Sequence, residues 1–254
     1  MSTFPSRFSD KVALITGAAS GIGRATAIRL AQEGASIMLA DIDQAGLDAT
    51  MATIVDNGGQ ADSLHFDATQ NDSCIAAVEA TVKRWGKLDI VGNIAGIVSF
   101  WHLHEITAEM WNRCMQINLT APMIISREAM PHLIKTEGTI INMASSAGLG
   151  GQAYNATYAA TKHGLVGLTK SLAVEFAKKN VRVNAICPGG VNTAINDKMR
   201  WPDDIEPSML SRLMPLLDTI AEPEEIAGLF AQLASAESSF VTGATWQIDG
   251  GQLA

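Results

Sequence analysis

The chain has 254 residues, of which 47% are hydrophobic, and its formal net charge is −8. This composition is typical of a globular α/β domain with a sizeable core and excludes a disordered segment. The acidic balance and the scattered basic residues argue against a nucleic-acid surface and against binding to anionic membranes.

The sequence contains no apolar run of the roughly 18 residues that a membrane-spanning helix needs, and its first residues have no signal-peptide core. Three widely spaced cysteines, Cys74, Cys114 and Cys187, show neither zinc nor disulfide spacing. We therefore expect a cytoplasmic protein without a bound metal. Its partner is expected to be a small-molecule substrate.

Short aliphatic or β-branched runs alternate with longer helical patterns along the chain. Strands are expected at Val12–Thr16, Ser36–Ala40, Ser63–Phe66, Leu88–Asn93, Thr139–Asn142, Val181–Ile186 and Thr245–Ile248. Helical patterns begin near Gly21, Gln44, Asn71, Ala108, Asn155 and Pro223. This alternation predicts a single Rossmann-like domain over residues 1–254, with a doubly wound parallel sheet of about seven strands and helices on both faces.

The first strand runs into a glycine-rich turn, and a helix follows at once. Glycines allow a tight turn and a close backbone approach to a pyrophosphate, and the amino end of a helix offers N–H groups to it. The glycine spacing is G-x-x-x-G-x-G rather than the more familiar G-x-G-x-x-G. We expect a dinucleotide to bind at Gly17, Ser20, Gly21, Ile22 and Gly23.

Two carboxylates follow the second and third strands. Asp41 can accept hydrogen bonds from the ribose hydroxyls and would repel a 2′-phosphate, and Arg24 is inside the helix, so NAD is favoured over NADP. Asp67 is similarly placed for the adenine amino group. The neighbouring Ile42 and Ala68 are assigned to the same site. Asp41 as a helix cap, and Asp67 as a turn or cap residue, are the alternatives.

Tyr158 and Lys162 stand four residues apart at the start of a long helical pattern and so share a helix face. A cation about 4 Å from a phenol, at an effective dielectric near 20, lowers the phenol pKa by about three units. We therefore expect Lys162 to bring the pKa of Tyr158 to about 7, which suits a general base.

These motifs, in this order, resemble the short-chain dehydrogenase/reductase family over about residues 10–251. The Thr16–Gly23 turn looks like the family's Thr-Gly-x-x-x-Gly-Ile-Gly, and Tyr158 with Lys162 like its Tyr-x-x-x-Lys, with Ser145 at the family spacing. Ile94 departs from the family's Asn-Asn-Ala-Gly segment. The resemblance assigns further cofactor contacts to Asn93, Ala95, Gly96, Tyr158, Lys162, Pro188, Gly189, Val191 and Thr193.

The resemblance implies an oxidoreductase that moves a hydride between a secondary alcohol and NAD. Tyr158 would be the acid or base, and Lys162 would lower its pKa and bind the nicotinamide ribose. The positive ring of the oxidised cofactor would add to this shift, so the pKa of Tyr158 is expected to depend on bound NAD and not on Lys162 alone. Ser145 would bind the substrate oxygen, and Asn118 would hold a water that links Lys162 to solvent. Pro122 has no N–H to pair with the Asn118 carbonyl, so a helix kink is expected there, with or without a catalytic role.

Residues 194–216 interrupt the strand–helix rhythm and contain three prolines among apolar residues. We expect a lid over the substrate, since this segment leaves the carboxyl end of a strand; a packed surface excursion is the alternative. A mostly apolar set is expected to face the substrate with Ser145, namely Val98, Phe100, Gln152, Tyr154, Ile195 and Met199. Such a pocket suits a hydrophobic steroid, alicyclic or aryl alcohol or ketone.

Two other functions stay open. A 3-oxoacyl thioester reductase would resemble this chain, but such enzymes usually use NADPH and carry basic residues where Ser20 and Asp41 stand here. A catalytically silent protein that senses nucleotides is the second. The resemblance also implies a homotetramer, formed through the helices near 107–134 and 155–178.

Overall fold

A computed structural model describes residues 6–195, 199–210 and 213–254, and for Leu210 the backbone alone. Its strands are β1 (Val12–Thr16), β2 (Ser36–Asp41), β3 (Gln60–His65), β4 (Ile90–Asn93), β5 (Thr139–Met143), β6 (Arg182–Pro188) and β7 (Thr245–Ile248). Its α-helices are α1 (Gly21–Gln32), α2 (Gln44–Asp56), α3 (Asn71–Trp85), α4 (Ala108–Met115), α5 (Ala121–Thr136), α6 (Ala156–Phe176), α7 (Pro207–Leu210) and α8 (Pro223–Ala234).

The strands form one parallel sheet in the order β3-β2-β1-β4-β5-β6-β7, which confirms the predicted doubly wound α/β fold. Both faces of the sheet are covered, because neighbouring residues of β1 enter different cores. Ala13 and Ile15 pack in the cluster that includes Leu30 of α1 and Phe230 of α8. Leu14 packs in the opposite cluster, with residues of α3 and α5. This explains why the strands are apolar throughout rather than alternating.

The strand order reverses between β1 and β4, which are neighbours in the sheet although two strands separate them in sequence. In open α/β sheets a crevice forms at this point, outside the carboxyl ends of the strands. The segments that follow these carboxyl ends contain Gly17, Asp67, Gly96, Ser145 and Gly189. The fold therefore brings the predicted site residues to one edge of the sheet.

The structure differs from the sequence-based expectation at several strand ends and in two helical elements. β4 begins at Ile90 rather than Leu88, and β6 spans Arg182–Pro188 rather than Val181–Ile186. β3 begins at Gln60 rather than Ser63, because this edge strand is polar and only partly buried. The short helix α7 was not expected. At the predicted kink, a π-helical turn over Gln116–Thr120 joins α4 to α5, with the Ala121 N–H donating to the Gln116 carbonyl. π-Turns of this kind are frequent at functional sites.

Candidate active site

The glycine turn after β1 is packed so tightly that side chains are excluded from it. Gly17 has φ +70°, and a Cβ there would lie 3.0 Å from the backbone of Ala95, at the end of β4. A Cβ on Gly23 would collide with the Gly17 carbonyl oxygen, and one on Gly21 would lie 2.9 Å from Thr193 Cγ2. The turn thus presents backbone N–H groups at the start of α1, which is the cradle that a pyrophosphate requires.

Asp41 is held in place by the backbone around it. One carboxylate oxygen accepts the Ala19 N–H at 3.1 Å and the other accepts the Asp43 N–H at 3.0 Å. Asp43, not Asp41, caps α2, through a bond from the Gly46 N–H. Each Asp41 oxygen keeps further lone pairs for a ligand. The carboxylate is therefore oriented at the cleft without being a helix cap.

The arginine that follows the glycine turn is directed into the protein. Arg24 Nε donates to Thr50 Oγ1 at 3.0 Å, and its Nη2 donates to the Ala19 carbonyl at 2.6 Å. Arg24 is not among the residues that line the cleft. It braces the back of the glycine turn rather than offering a charge to a ribose phosphate.

Asp67 makes hydrogen bonds within a turn, as the alternative to a cofactor contact had predicted. Its Oδ1 accepts both the Thr69 hydroxyl at 2.7 Å and the Thr69 N–H at 2.8 Å, which lowers the pKa of the carboxyl. The same residue also lines the cleft, so the turn and a ligand contact are compatible. Arg113 of α4, which sequence reasoning missed, lines the cleft close to Asp67.

These segments enclose a cleft of about 530 Å³ that runs from Asp41 past Gly96 to Thr193. Its lining includes most of the expected cofactor residues, namely Gly17, Ser20, Gly21, Ile22, Gly23, Asp41, Ile42, Asp67, Ala68, Ala95, Gly96 and Thr193. Val98 and Ile195 line it at the end nearest the expected substrate. Ile97, which had not been predicted, also lines the cleft.

Asn93 lies below the cleft rather than in it. Its side chain is buried and donates to Asn142 Oδ1 of β5 at 2.8 Å, so it ties two strands together. Thr16, for which no role had been predicted, accepts the Ile94 and Ala95 N–H groups at 2.9 and 3.1 Å. Any contact from Asn93 to a cofactor would have to come from its backbone, and Thr16 sets the path of the segment that follows it.

The segment Pro188–Thr193 reaches the cleft only at its end. Gly189 donates its N–H to the Ile248 carbonyl of β7, and Val191 is buried and bridged to Ala221. Thr193 then packs against Gly21. Pro188, Gly189 and Val191 support the position of Thr193 and are not part of the cleft lining.

Ser145, Tyr158 and Lys162 meet where β5 ends and α6 begins. The Ser145 and Tyr158 hydroxyls are hydrogen-bonded to each other, and Ser145 Oγ also accepts the Ala147 N–H. Lys162 is 4% exposed, and its Nζ donates to the Met143 carbonyl at 2.7 Å. A Cβ on Gly96 would lie 3.7 Å from Lys162 Nζ, so the ammonium lies just under the floor of the cleft.

The expectation from residue spacing, that Lys162 brings the Tyr158 pKa to about 7, is wrong for the protein without a cofactor. Lys162 Nζ lies 5.4 Å from the centre of the Tyr158 ring. Loss of water around the hydroxyl raises the pKa of Tyr158 to about 12, and the bond to Ser145 opposes this only in part. Burial also lowers the pKa of Lys162 to about 8. Desolvation, which residue spacing does not reveal, outweighs the attraction of the cation.

Asn118 is fully buried inside the π-turn, with its side chain directed at the loop after β4. Its Oδ1 accepts the Ile97 N–H and its Nδ2 donates to the Ile97 carbonyl, both at 2.9 Å. Nδ2 also lies 3.2 Å from Thr161 Oγ1, in the turn between Tyr158 and Lys162. The side chain therefore joins the cleft floor to α6.

The described part of the 194–216 segment packs over the loop after β4; residues 196–198 and 211–212 lie outside the described residues. The Phe100 ring stacks on Trp201 at 3.9 Å between centroids, and the Phe100 N–H donates to the Arg200 carbonyl. His102 Nε2 lies 2.7 Å from Asp204 Oδ1. Phe100, expected to face the substrate, is instead buried against Trp201 and is not part of the cleft lining.

Tyr154 connects three segments. Its carbonyl accepts the Trp101 N–H at 2.7 Å, and its hydroxyl accepts the Glu206 N–H at 2.9 Å. It does so with φ +60°, a conformation that costs a non-glycine residue about 1 kcal/mol or more. Gln152 is also engaged by the chain itself, through Ser146 and Asn155. Met199 is partly buried beside this cluster.

Comparisons with known proteins agree with this geometry. A family model described as enoyl-(acyl carrier protein) reductase matches residues 17–252. A 3-oxoacyl-[acyl-carrier-protein] reductase of Thermotoga maritima is 38% identical over 246 residues, covering 96% of this chain and 98% of the relative. A cyclohexanol dehydrogenase of Acinetobacter sp. is 37% identical over 246 residues, covering 96% and 95%. A short chain dehydrogenase from Mycobacterium paratuberculosis bound to NAD superposes with a TM-score of 0.90 at 32% identity, covering 97% and 98%.

Gly23→Ala should reduce dinucleotide affinity at least tenfold, which corresponds to about 1.4 kcal/mol, because the new methyl group pushes the turn away from Gly17. The dissociation constant of NADH, measured by fluorescence titration, tests this. Gly167→Ala is the matched control, since its Cβ meets no atom within 4 Å. Equal affinities for the two variants, both folded by circular dichroism, would contradict the expected cradle.

Proposed function

The chain belongs to the short-chain dehydrogenase/reductase family and is an oxidoreductase that acts on hydroxyl or keto groups with a nicotinamide cofactor; we propose that the cofactor is NAD and the substrate a hydrophobic secondary alcohol or its ketone. The observation that carries the cofactor choice is Asp41. Its two oxygens are oriented by Ala19 and Asp43, while Arg24 is engaged behind the turn. A 2′-phosphate would meet the Asp41 carboxylate, and the Arg24 guanidinium is not free to neutralise it.

The proposed reaction uses four residues. Tyr158 takes the proton of the alcohol in oxidation and returns it to the ketone oxygen in reduction. Ser145, hydrogen-bonded to Tyr158, donates to the substrate oxygen as its charge develops. Lys162 favours the phenolate from below the cleft. Asn118 holds the Ile97 backbone in place and keeps a water path from Lys162 to solvent. A bound nicotinamide supplies the hydride acceptor or donor.

Because the pKa of Tyr158 is raised, its phenol is protonated in the protein without ligand and is ready for ketone reduction. Oxidation requires the phenolate, so it needs a further positive charge next to Tyr158. The oxidised nicotinamide ring is positive and would bind beside Gly96, above Lys162. We therefore propose that the cofactor, and not Lys162 alone, brings the phenol pKa into the working range.

The proposed substrate class is supported by the apolar residues that border the nicotinamide end of the cleft. Val98 and Ile195 line it, and Phe100, two residues after Val98, stacks on Trp201. The amide of Gln152 is engaged by Ser146 and Asn155 and is less available to a polar substrate. The relative from Acinetobacter sp. is named for cyclohexanol, which agrees with the alicyclic class among the steroid, alicyclic and aryl candidates.

A 3-oxoacyl thioester reductase is the second candidate, favoured by the 38% identity to the reductase of Thermotoga maritima. The alternative of a silent nucleotide sensor leaves Ser145, Tyr158 and Lys162 without a role. The single domain with a substrate lid at 194–216, a homotetramer and a cytoplasmic location are also kept as proposals. The last is supported by three buried cysteines without disulfides.

The tyrosinate absorbance should report the effect of the cofactor on Tyr158. The chain has only two tyrosines, so the difference between wild type and Tyr158→Phe isolates this residue. Without cofactor, Tyr158 should stay protonated at pH about 10, where a free tyrosine is half ionised. Saturating oxidised NAD should move the titration by more than one pH unit toward neutral. A titration that is already near neutral without NAD would mean that Lys162 suffices.

The cofactor assignment predicts a higher kcat/KM with NADH than with NADPH. Asp41→Ser removes the carboxylate. It should reduce the ratio of kcat/KM with NADH to kcat/KM with NADPH about tenfold, equivalent to about 1.4 kcal/mol. Asp43→Asn is the control, because it removes a neighbouring charge whose side chain caps α2 instead. If NADPH is preferred by the wild type, the NAD proposal fails and the thioester reductase becomes the better candidate.

The function itself is tested by a panel of alicyclic and aryl alcohols, steroids and 3-oxoacyl thioesters, assayed with each cofactor. We expect turnover of an alicyclic or larger apolar alcohol, and a loss of at least about a hundredfold in kcat for Tyr158→Phe, which removes the proton-transfer group. Better turnover of a 3-oxoacyl thioester would overturn the substrate class. An unchanged rate in Tyr158→Phe would revive the nucleotide-sensing alternative.

A further inference from the structure

Thr161 stands between the two residues of the Tyr158–Lys162 pair, yet nothing in the proposed reaction uses it. Its side chain is fully buried, so it does not face a ligand. Its hydroxyl donates to the Tyr158 carbonyl at 2.7 Å, one helical turn back. Threonines in helices commonly make such a bond, and by itself it implies nothing more.

The second contact of Thr161 is different in kind. Because its hydrogen is directed to Tyr158, the oxygen presents lone pairs to Asn118 Nδ2, 3.2 Å away. A primary amide has two hydrogens to donate. One goes to the Ile97 carbonyl at 2.9 Å, which leaves the other to Thr161 Oγ1 and to Cys114 Sγ at 3.3 Å. Sulfur is the weaker acceptor, so the hydroxyl is the main partner.

This bond fixes which end of the Asn118 amide faces the cleft floor. With Nδ2 directed at Thr161, Oδ1 is left to accept the Ile97 N–H. The reversed amide would place an oxygen against the Ile97 carbonyl and an N–H against the Ile97 N–H. Gly96 and Ile97 therefore lie at a fixed height above Lys162, whose Nζ would be 3.7 Å from a Cβ on Gly96.

We propose that Thr161 is a positioning residue, whose hydroxyl orients the Asn118 amide and through it holds the Gly96–Ile97 floor against the Tyr158–Lys162 helix. This rests on the proposed function of those residues. The methyl group of Thr161 is not required for the role, since both bonds are made by the hydroxyl. Loss of the hydroxyl leaves a buried amide hydrogen with only sulfur to accept it.

Thr161→Val keeps the shape and removes the hydroxyl, and Thr161→Ser keeps the hydroxyl. We expect Thr161→Val to lower kcat about tenfold while the KM of the alcohol stays within about twofold, because the reacting groups move relative to each other but the apolar pocket is untouched. Thr161→Ser should restore most of kcat. If the valine variant does not fold, Thr161→Ala is paired with Thr161→Ser in the same assay.

Thr81→Val is the matched control, because Thr81 is also fully buried in a helix and donates to a backbone carbonyl, that of Ala77, far from the cleft. It should leave kcat unchanged. A wild-type kcat in Thr161→Val, an equal loss in Thr161→Ser, or the same loss in Thr81→Val would each overturn the proposal.

A parallel assay of Tyr158→Phe separates this proposal from the proposed function. If Tyr158→Phe is inactive and Thr161→Val behaves as wild type, only the positioning role fails. If Tyr158→Phe keeps its activity, the proposed reaction fails. The side-chain amide signal of Asn118 in a nitrogen-15 NMR spectrum gives a readout independent of turnover. It should shift in Thr161→Val and remain in place in Thr161→Ser and Thr81→Val.

Discussion

Burial of the Lys162 ammonium is the constraint that shapes the site. An ammonium removed from water costs several kcal/mol unless hydrogen bonds replace its hydration. The side chain is 4% exposed, and the Met143 carbonyl at 2.7 Å provides such a bond. Two glycines pack against this residue: a Cβ on Gly148 would lie 2.8 Å from the Lys162 backbone carbonyl oxygen, and a Cβ on Gly96 would lie 3.7 Å from Nζ. The glycines near α6 therefore have a packing reason that is independent of the cofactor turn.

This burial also sets the electrostatic state of the protein before any ligand binds. The pKa of Lys162 is lowered to about 8 and that of Tyr158 is raised to about 12, so both groups shift toward their neutral forms. Lys162 still carries most of its positive charge at neutral pH. A positive ligand that enters above Gly96 would change the pKa of both groups, because they share one desolvated space. The proposed acid–base role of Tyr158 would then depend on what occupies the cleft.

The parts that could be predicted from the sequence are those that depend on neighbours in the chain. The glycine turn, the acid at the end of β2 and the four-residue spacing of Tyr158 and Lys162 are all local patterns, and the structure gathers them because parallel strands end at one edge. Spacing does not reveal how much water a group loses, so the direction of the Tyr158 pKa shift was missed. Asn93 was assigned to the cofactor, but its side chain bonds to Asn142 on another strand.

The residue contacts on the proposed substrate side could not be predicted either, because local sequence patterns do not show them. Its shape depends on pairs far apart in sequence, such as Tyr154 with Glu206 and His102 with Asp204. No local sequence pattern predicts that Phe100 stacks on Trp201. Nor does any predict that Tyr154 adopts a positive φ, with which it contacts both Trp101 and Glu206. These contacts involve neither Ser145 nor Lys162, so the residues that make them can change without altering that pair. Relatives named for cyclohexanol and for a 3-oxoacyl-[acyl-carrier-protein] are nearly equally identical to this chain, which is consistent with one fold that serves more than one substrate class.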